Sequence, residues 1–246
     1  AVAAIADSPS LPRAELKDAL EIAERFGFPV RVVKTAEFDN PSYTSNPTNR
    51  CYFCKHELFD HLVAMAKDEG FATIVYGENA SDVGDFRPGA QAAKEFSVRA
   101  PLKEVGMTKA EIREWSAKFG LPTADKPQMA CLSSRIPYGE TVTPQKLSMV
   151  ERAEAVLRGM GFFEVRVRHH ESTGSNRALG GNGVSHLARI EIGTDELPRL
   201  FADGRQDVGH VRLFASMPHV EFGNAQLIER DMGKVGLCHP GLLFWR

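Results

Sequence analysis

AVAAIADSPSLPRAELKDALEIAERFGFPVRVVK, residues Ala1 to Lys34, is the stretch that decides the fold. It opens on a short apolar run that ends at a Ser-Pro turn, which suits a buried strand. A helical pattern from about Leu11 to Phe26 follows, and the β-branched run PVRVVK supplies a second strand. FATIVYG, Phe71 to Gly77, has the same strand character. Strands alternating with helices imply βαβ units and a parallel sheet. Downstream, TKAEIREWSAKFG predicts a helix with Thr108 as N-cap, Glu111 in the capping-box place and Gly120 at its end. A second region starts with the helix TPQKLSMVERAEAVLRGMG, capped by Thr143 with Pro144 in its first turn. The strand-like runs FFEVRVRHH and HLARIEIG come after it, around a Gly-, Ser- and Asn-rich stretch expected to be a mobile loop. The expected architecture is an α/β parallel-sheet domain over residues 1–142, then a smaller α+β domain over 143–246. No internal repeat is present.

Composition narrows the function classes. In 246 residues, charged side chains make up 25% and the formal net charge is -2, the balance of an ordinary globular protein without a broad nucleic-acid footprint. No apolar run approaches the ~20 residues of a membrane span. The opening residues carry no charged region ahead of their apolar stretch, unlike a signal peptide. Four cysteines are too few for a disulfide scaffold, so a reducing, cytoplasmic setting is expected.

Two of those cysteines lie in NRCYFCKHE, Asn49 to Glu57. Helical spacing puts Cys51, Cys54, Leu58, Leu62 and Met65 on one stripe, which is compatible with buried core thiols. The same geometry points both thiols one way at a helix N-terminus, where thiolate is favoured and a metal or cluster could use them. A structural zinc site wants a second paired knuckle, and none is present. A thioredoxin-type pair would follow a strand, whereas CYFC follows the polar loop NPSYTSNPTN. A site of Cys51, Cys54 and Cys131 fits iron–sulfur ligation better and would leave one iron open. Spacing goes no further than that.

Read together, DNPSYTSNPTNRCYFCK, GENASDVGDFRPG, APLKEVGMTKAEIRE and LPTADKPQMACLSSRIPYG closely resemble the LarE family. The resemblance runs from about Val2 to His170 and resumes at ARIEIG. It implies a PP-loop ATP pyrophosphatase fold, an adenine nucleotide alpha-hydrolase-like domain. The implied activity is ATP-dependent sulfur transfer to a pyridinium dicarboxylate mononucleotide through an acyl adenylate, in nickel-pincer cofactor synthesis. ATP, Mg²⁺ and a 4Fe-4S cluster on Cys51, Cys54 and Cys131 are the implied cofactors. The implied alternative is that Cys131 alone is a sacrificial sulfur donor. A small-molecule nucleotide substrate, self-association, and no nucleic-acid or membrane partner complete the expectation.

Other residues take on roles beside that chemistry. Asp7 and Ser8 end a parallel strand, where nucleotides bind in doubly wound sheets, although a plain Ser-Pro turn also explains them. Asn79, Asp82, Asp85 and Arg87 lie on a Gly-bounded loop and could face nucleotide phosphates and Mg²⁺; Asx-turn chemistry is the rival. Arg135 could steady the adenylate phosphate or make a salt bridge. Lys103 and Lys109 suit solvated faces. Arg166 and Arg168 alternate along one strand, so both point to one face and fit a substrate phosphate, with a solvated face as the rival. Glu154 and Glu191 resemble acidic residues of that site in the family, and His169 and His170 read as structural or exposed. Two departures stand out. The SGGxDS loop that cradles ATP pyrophosphate is absent and is expected to precede Val2, which leaves a fragment, a metal-binding pseudo-enzyme or another PP-loop activity such as tRNA thiolation or amidation as alternatives. The residues from about Gln206 to Arg246 do not match the family ending, and Cys238 and His239 are not assigned as ligands.

Overall fold

The computed structural model describes residues 1–127, 129–172, 185–193, 195–196 and 199, with the strands at 224–227 and 243–245. Of the loop expected over 171–185, Glu171, Ser172 and Ser185 belong to strands and 173–184 lie outside the described residues, as do Cys238, His239 and most of the C-terminal stretch. The chain divides into two compact units. The first holds Ala1–Cys131 with the strand at 243–245, and the second begins at Leu132, before the 142/143 boundary expected from sequence. Among the described residues, no helix is long and apolar enough to cross a membrane.

In the first unit β1 (Val2–Asp7), α1 (Arg13–Phe26) and β2 (Val30–Lys34) form the expected βαβ unit. β1 pairs with β2 in parallel, from Ala3 opposite Val30 to Asp7 opposite Lys34. Val2, Ala3, Ala4 and Ile5 are all buried, as befits a strand paired on both edges. Gly27 ends α1 with φ 70°, a left-handed conformation that glycine adopts without a Cβ penalty. Next come α2 (Pro41–Thr44), α3 (Arg50–Glu69), α4 (Pro88–Glu95), α5 (Pro101–Glu104) and α6 (Lys109–Lys118). The α6 capping box forms as the sequence predicts: Thr108 Oγ1 accepts from the Glu111 N–H, and Glu111 accepts from the Thr108 N–H. FATIVYG differs from its expectation. Among the described residues it pairs through a parallel bridge, Val75 opposite Arg99, held by Arg99 N–H to Ile74 O at 3.0 Å and Tyr76 N–H to Arg99 O at 2.9 Å. Ile74 and Tyr76 point into a core with Leu58, Phe59, Leu62, Ala92 and Ala93, so burial helps fix this segment.

In the second unit, α7 (Pro144–Gly159) has Thr143 as N-cap and Pro144 in its first turn. β3 (Val165–Ser172) and β4 (Ser185–Ile192) pair antiparallel, and β5 (Asn224–Leu227) adds to β4 in parallel. Back in the first unit, β6 (Leu243–Trp245) pairs antiparallel with β1. On β3, alternate residues Val165 and Val167 pack with Ile190, Ile192, Ala153 and Leu157, leaving Arg166 and Arg168 on the opposite face.

Candidate active site

Helix α3 sets the thiols. Its phase sends Leu58, Phe59 and Leu62 into the core and leaves Cys51 and Cys54 half-buried in the first turn. Cys54 and Cys131 lie outside any disulfide, whereas Cys51 is disulfide-bonded, so a ligand role for Cys51 requires its reduced form. Burial pushes the Cys54 thiol up, and the charges of Glu37 and Cys131 add to the effect. The fold therefore brings Cys131 within electrostatic reach of Cys54. Glu37, only 2% exposed, has a buried Oε2 with no hydrogen-bond partner. An unpaired buried carboxylate oxygen in the neighbourhood of these thiols favours an arriving positive charge.

Lys55, next to Cys54, joins the cysteine helix to the loop 77–89. Burial lowers its ammonium to about 8, and its Nζ lies 4.5 Å from the centre of the Tyr76 ring. Tyr76 donates to Glu78 Oε2, and Lys103 Nζ donates to Glu78 Oε1 at 3.0 Å. Burial works against the charge of Glu78, yet these two hydrogen bonds outweigh it and hold the carboxyl below its usual range. The four loop residues expected at nucleotide phosphates come together, bonded mainly to one another. Asn79 caps the turn Ala80–Asp82, Arg87 donates to Asp82, and Asp85 lies 3.6 Å from Arg87. With its side chain 52% exposed, Asp85 is the loop carboxylate most open to a hydrated Mg²⁺. Gly89 lets α4 approach α3: a Cβ there would stand 2.8 Å from Lys55 Cδ and 3.3 Å from the Cys51 carbonyl. At the end of β1, Arg13 donates to Asp7 Oδ1 at 2.6 Å, while Ser8 Oγ accepts from the Ser10 N–H at 3.1 Å. Asp7 and Ser8 thus build the turn itself.

The second unit concentrates guanidiniums. Arg135 and Glu154, both fully buried, pair through Nε–H to Oε1 at 2.9 Å and Nη2–H to Oε2 at 3.3 Å. Glu154 also accepts from Arg158 at 2.8 Å and from the Val167 N–H at 3.1 Å. Burial opposes its charge, but Arg135 outweighs this and keeps the carboxyl below the usual range. Glu191 accepts two hydrogen bonds from Arg168, at 2.7 and 3.3 Å, and one from Arg189 at 2.8 Å. Arg166 differs. Its side chain is 5% exposed, its closest carboxylate contact is 3.9 Å to Glu191, and its buried Nε has no partner. Burial, then the charges of Arg135 and Arg168, lower it to about 10. Among the described residues, Arg135, Arg158, Arg166, Arg168 and Arg189 pair with two carboxylates, Glu154 and Glu191. Such a surplus of positive charge suits a bound anion.

Sequence reasoning missed Glu37, Lys55, Glu78, Arg158 and Arg189, since Lys, Arg and Glu default to solvent. Arg189 carried one usable signal: as a strand residue two from Glu191, it shares that residue's face.

No protein-family model matches the chain. It is 45% identical over 203 residues to the protein slr1717 of Synechocystis, covering 82% of this chain and 70% of that one. Over 168 residues it is 31% identical to the pyridinium-3,5-bisthiocarboxylic acid mononucleotide synthase of Lactiplantibacillus plantarum, covering 68% of this chain and 61% of that enzyme. Its identity to the tRNA-specific 2-thiouridylase MnmA of Xanthobacter autotrophicus is 29%, covering 68% of this chain and 50% of that enzyme. The chain thus spans between half and three quarters of the length of these relatives. It belongs to the family of slr1717 and is similar, over a smaller share of their length, to the synthase and the 2-thiouridylase.

Proposed function

We propose that the chain forms part of an ATP-dependent sulfur transferase that acts on the carboxylates of a pyridinium-3,5-dicarboxylate mononucleotide in nickel-pincer cofactor synthesis. The observation that carries the reading is that two cysteines outside any disulfide, Cys54 and Cys131, from separate motifs in one unit, lie within electrostatic reach of each other. A substrate carboxylate oxygen attacks the α-phosphorus of ATP and releases pyrophosphate. A sulfur nucleophile then attacks the acyl carbon, and AMP leaves. In this reading Asp82, Asp85 and Arg87 are assigned to the nucleotide phosphates and Mg²⁺, supported by their clustering on one loop, with Asp7 and Ser8 shaping the end of β1. Arg166, beside Arg168, Glu191, Glu154 and Arg135, receives the substrate phosphate.

The three thiols Cys51, Cys54 and Cys131 suit a 4Fe-4S cluster in donor type, with Cys51 reduced. Bound there, such a cluster would supply the transferred sulfur at its open iron. The chain's own part is to present the thiolates, with Arg50 and Lys55 offsetting the charge of Cys54. The protein is expected to work as a homo-oligomer in the cytoplasm, without nucleic acid. Anaerobic reconstitution of the full-length protein, followed by iron and sulfide analysis, tests the cluster. A protein that takes up neither, yet loses the mass of H₂S at Cys131 on turnover, would assign the sulfur to Cys131 itself. Turnover of a tRNA in place of the mononucleotide would overturn the substrate assignment.

A further inference from the structure

Arg166 and Arg168 occupy one face of β3; the other face ends in a different set of side chains. Down the ladder, Val165 stands opposite Ile192, Val167 opposite Ile190, His169 opposite Ala188 and Glu171 opposite His186. Two apolar rungs thus give way to two polar ones. The small Ala188 across from His169 leaves room for the His186 ring to approach diagonally. The rings lie 4.9 Å apart between centroids, and His169 Nε2 is 3.0 Å from His186 Nδ1. One ligand atom each from His169, Glu171 and His186 lie within 4.8 Å of one another.

We infer that His169, His186 and Glu171 form a binding site for a divalent first-row transition-metal ion at the end of the β3–β4 ladder. The donor set, two imidazoles and a carboxylate, is the type that such ions select over Mg²⁺ or Ca²⁺. With metal–nitrogen bonds of about 2.1 Å, two nitrogens sit ~3.0 Å apart at a right angle and ~3.4 Å apart at the tetrahedral angle. The observed 3.0 Å already meets the first, and a small ring shift meets the second. Lys146 Nζ donates to the Thr141 carbonyl at 2.8 Å and meets Glu171 at Oε1, also at 2.8 Å, which leaves Glu171 Oε2 for a metal. A second carboxylate adjoins the site: Glu140 accepts a hydrogen bond from the Glu171 backbone, and its own Oε2 is buried without a partner. That orphaned oxygen independently marks a place where a cation would be favoured. Nothing here depends on the thiols or on sulfur transfer, so either assignment can fail alone.

Cobalt(II) and zinc(II) titrations of the full chain test the site. The expected result is one equivalent of cobalt with weak visible bands and no sulfur-to-cobalt charge-transfer band, displaced by zinc, with a rise in melting temperature on saturation. His186→Ala and Glu171→Gln should each weaken binding on the order of tenfold or more, by analogy with losses at supporting residues of metal sites. Melting of both variants without metal separates lost ligation from lost folding. Failure to find a thiol-free cobalt signal, or binding unchanged in both folded variants, would overturn the assignment.

Discussion

Glu154 offers the sharpest test of how the second unit is held together. It is fully buried and accepts from four donors: Arg135 Nε and Nη2, Arg158 Nη2 and the Val167 N–H. Glu154→Gln keeps the shape but not the chemistry. Whichever way the amide turns, its NH₂ meets donors, and the fully buried Arg135 guanidinium loses its counter-charge. Breaking a buried pair by removing one partner costs about 3–5 kcal/mol. At roughly 2–4 °C per kcal/mol for a chain of this size, the melting temperature should fall by about 6–20 °C. Arg158, whose side chain is 31% exposed, can turn to water, so Arg158→Gln should cost under about 1 kcal/mol. The pH dependence has a definite sign. Because the folded carboxyl is held below its ordinary value, its contribution is complete above the unfolded value of about 4.3 and lost as pH falls through the lower folded one. Thermal and urea melts at neutral pH and in acid should therefore show a gap between parent and Glu154→Gln that closes in acid. Melting within ~2 °C of the parent at neutral pH, a shift too small for a buried ion pair, would refute the reasoning. So would an Arg158→Gln variant as damaged as Glu154→Gln.

Two further outcomes follow from the geometry. Arg166→Met, which removes a guanidinium with no carboxylate closer than 3.9 Å, should leave melting nearly unchanged. The same variant should weaken mononucleotide binding by about 2 kcal/mol, roughly thirtyfold in Kd by calorimetry; unaltered affinity would remove Arg166 from the phosphate site. Gly89→Ala should destabilise by about 1–3 kcal/mol in urea melts, because the new Cβ must displace Lys55 and press the Cys51 carbonyl, and parental stability would show that α3 and α4 separate freely.

Local chemistry made much of the framework readable. The β1–α1–β2 unit, the Thr108 box, the Thr143 cap and the β3–β4 pair all follow from turn residues, caps and periodicity. FATIVYG was less legible, because strand-forming side chains also suit a buried extended segment that pairs through isolated bridges among the described residues. At the candidate site, sequence placed Arg166 and Arg168 on one face but could not show their inequality. Arg168 has Glu191 and Arg166 has almost nothing, a distinction created by the cross-strand register and by α7. The buried charges Glu37, Lys55 and Glu78 were unreadable, because their burial depends on helices that meet only in three dimensions.

Strand β3 constrains how this protein can change over time. One face carries Val165 and Val167 into the apolar core and His169 and Glu171 beyond it, and the other carries arginine toward carboxylates. Deleting one residue within Val165–Ser172 would exchange the two sets along the rest of the strand, pressing guanidiniums against Leu157 and lifting valines out of the core. Substitutions, by contrast, touch one face at a time. The charge of the arginine face can therefore drift through replacements at positions 166, 168, 189 and 191 while the face of Val165, Val167, His169 and Glu171 stays untouched, but the length of the strand cannot vary.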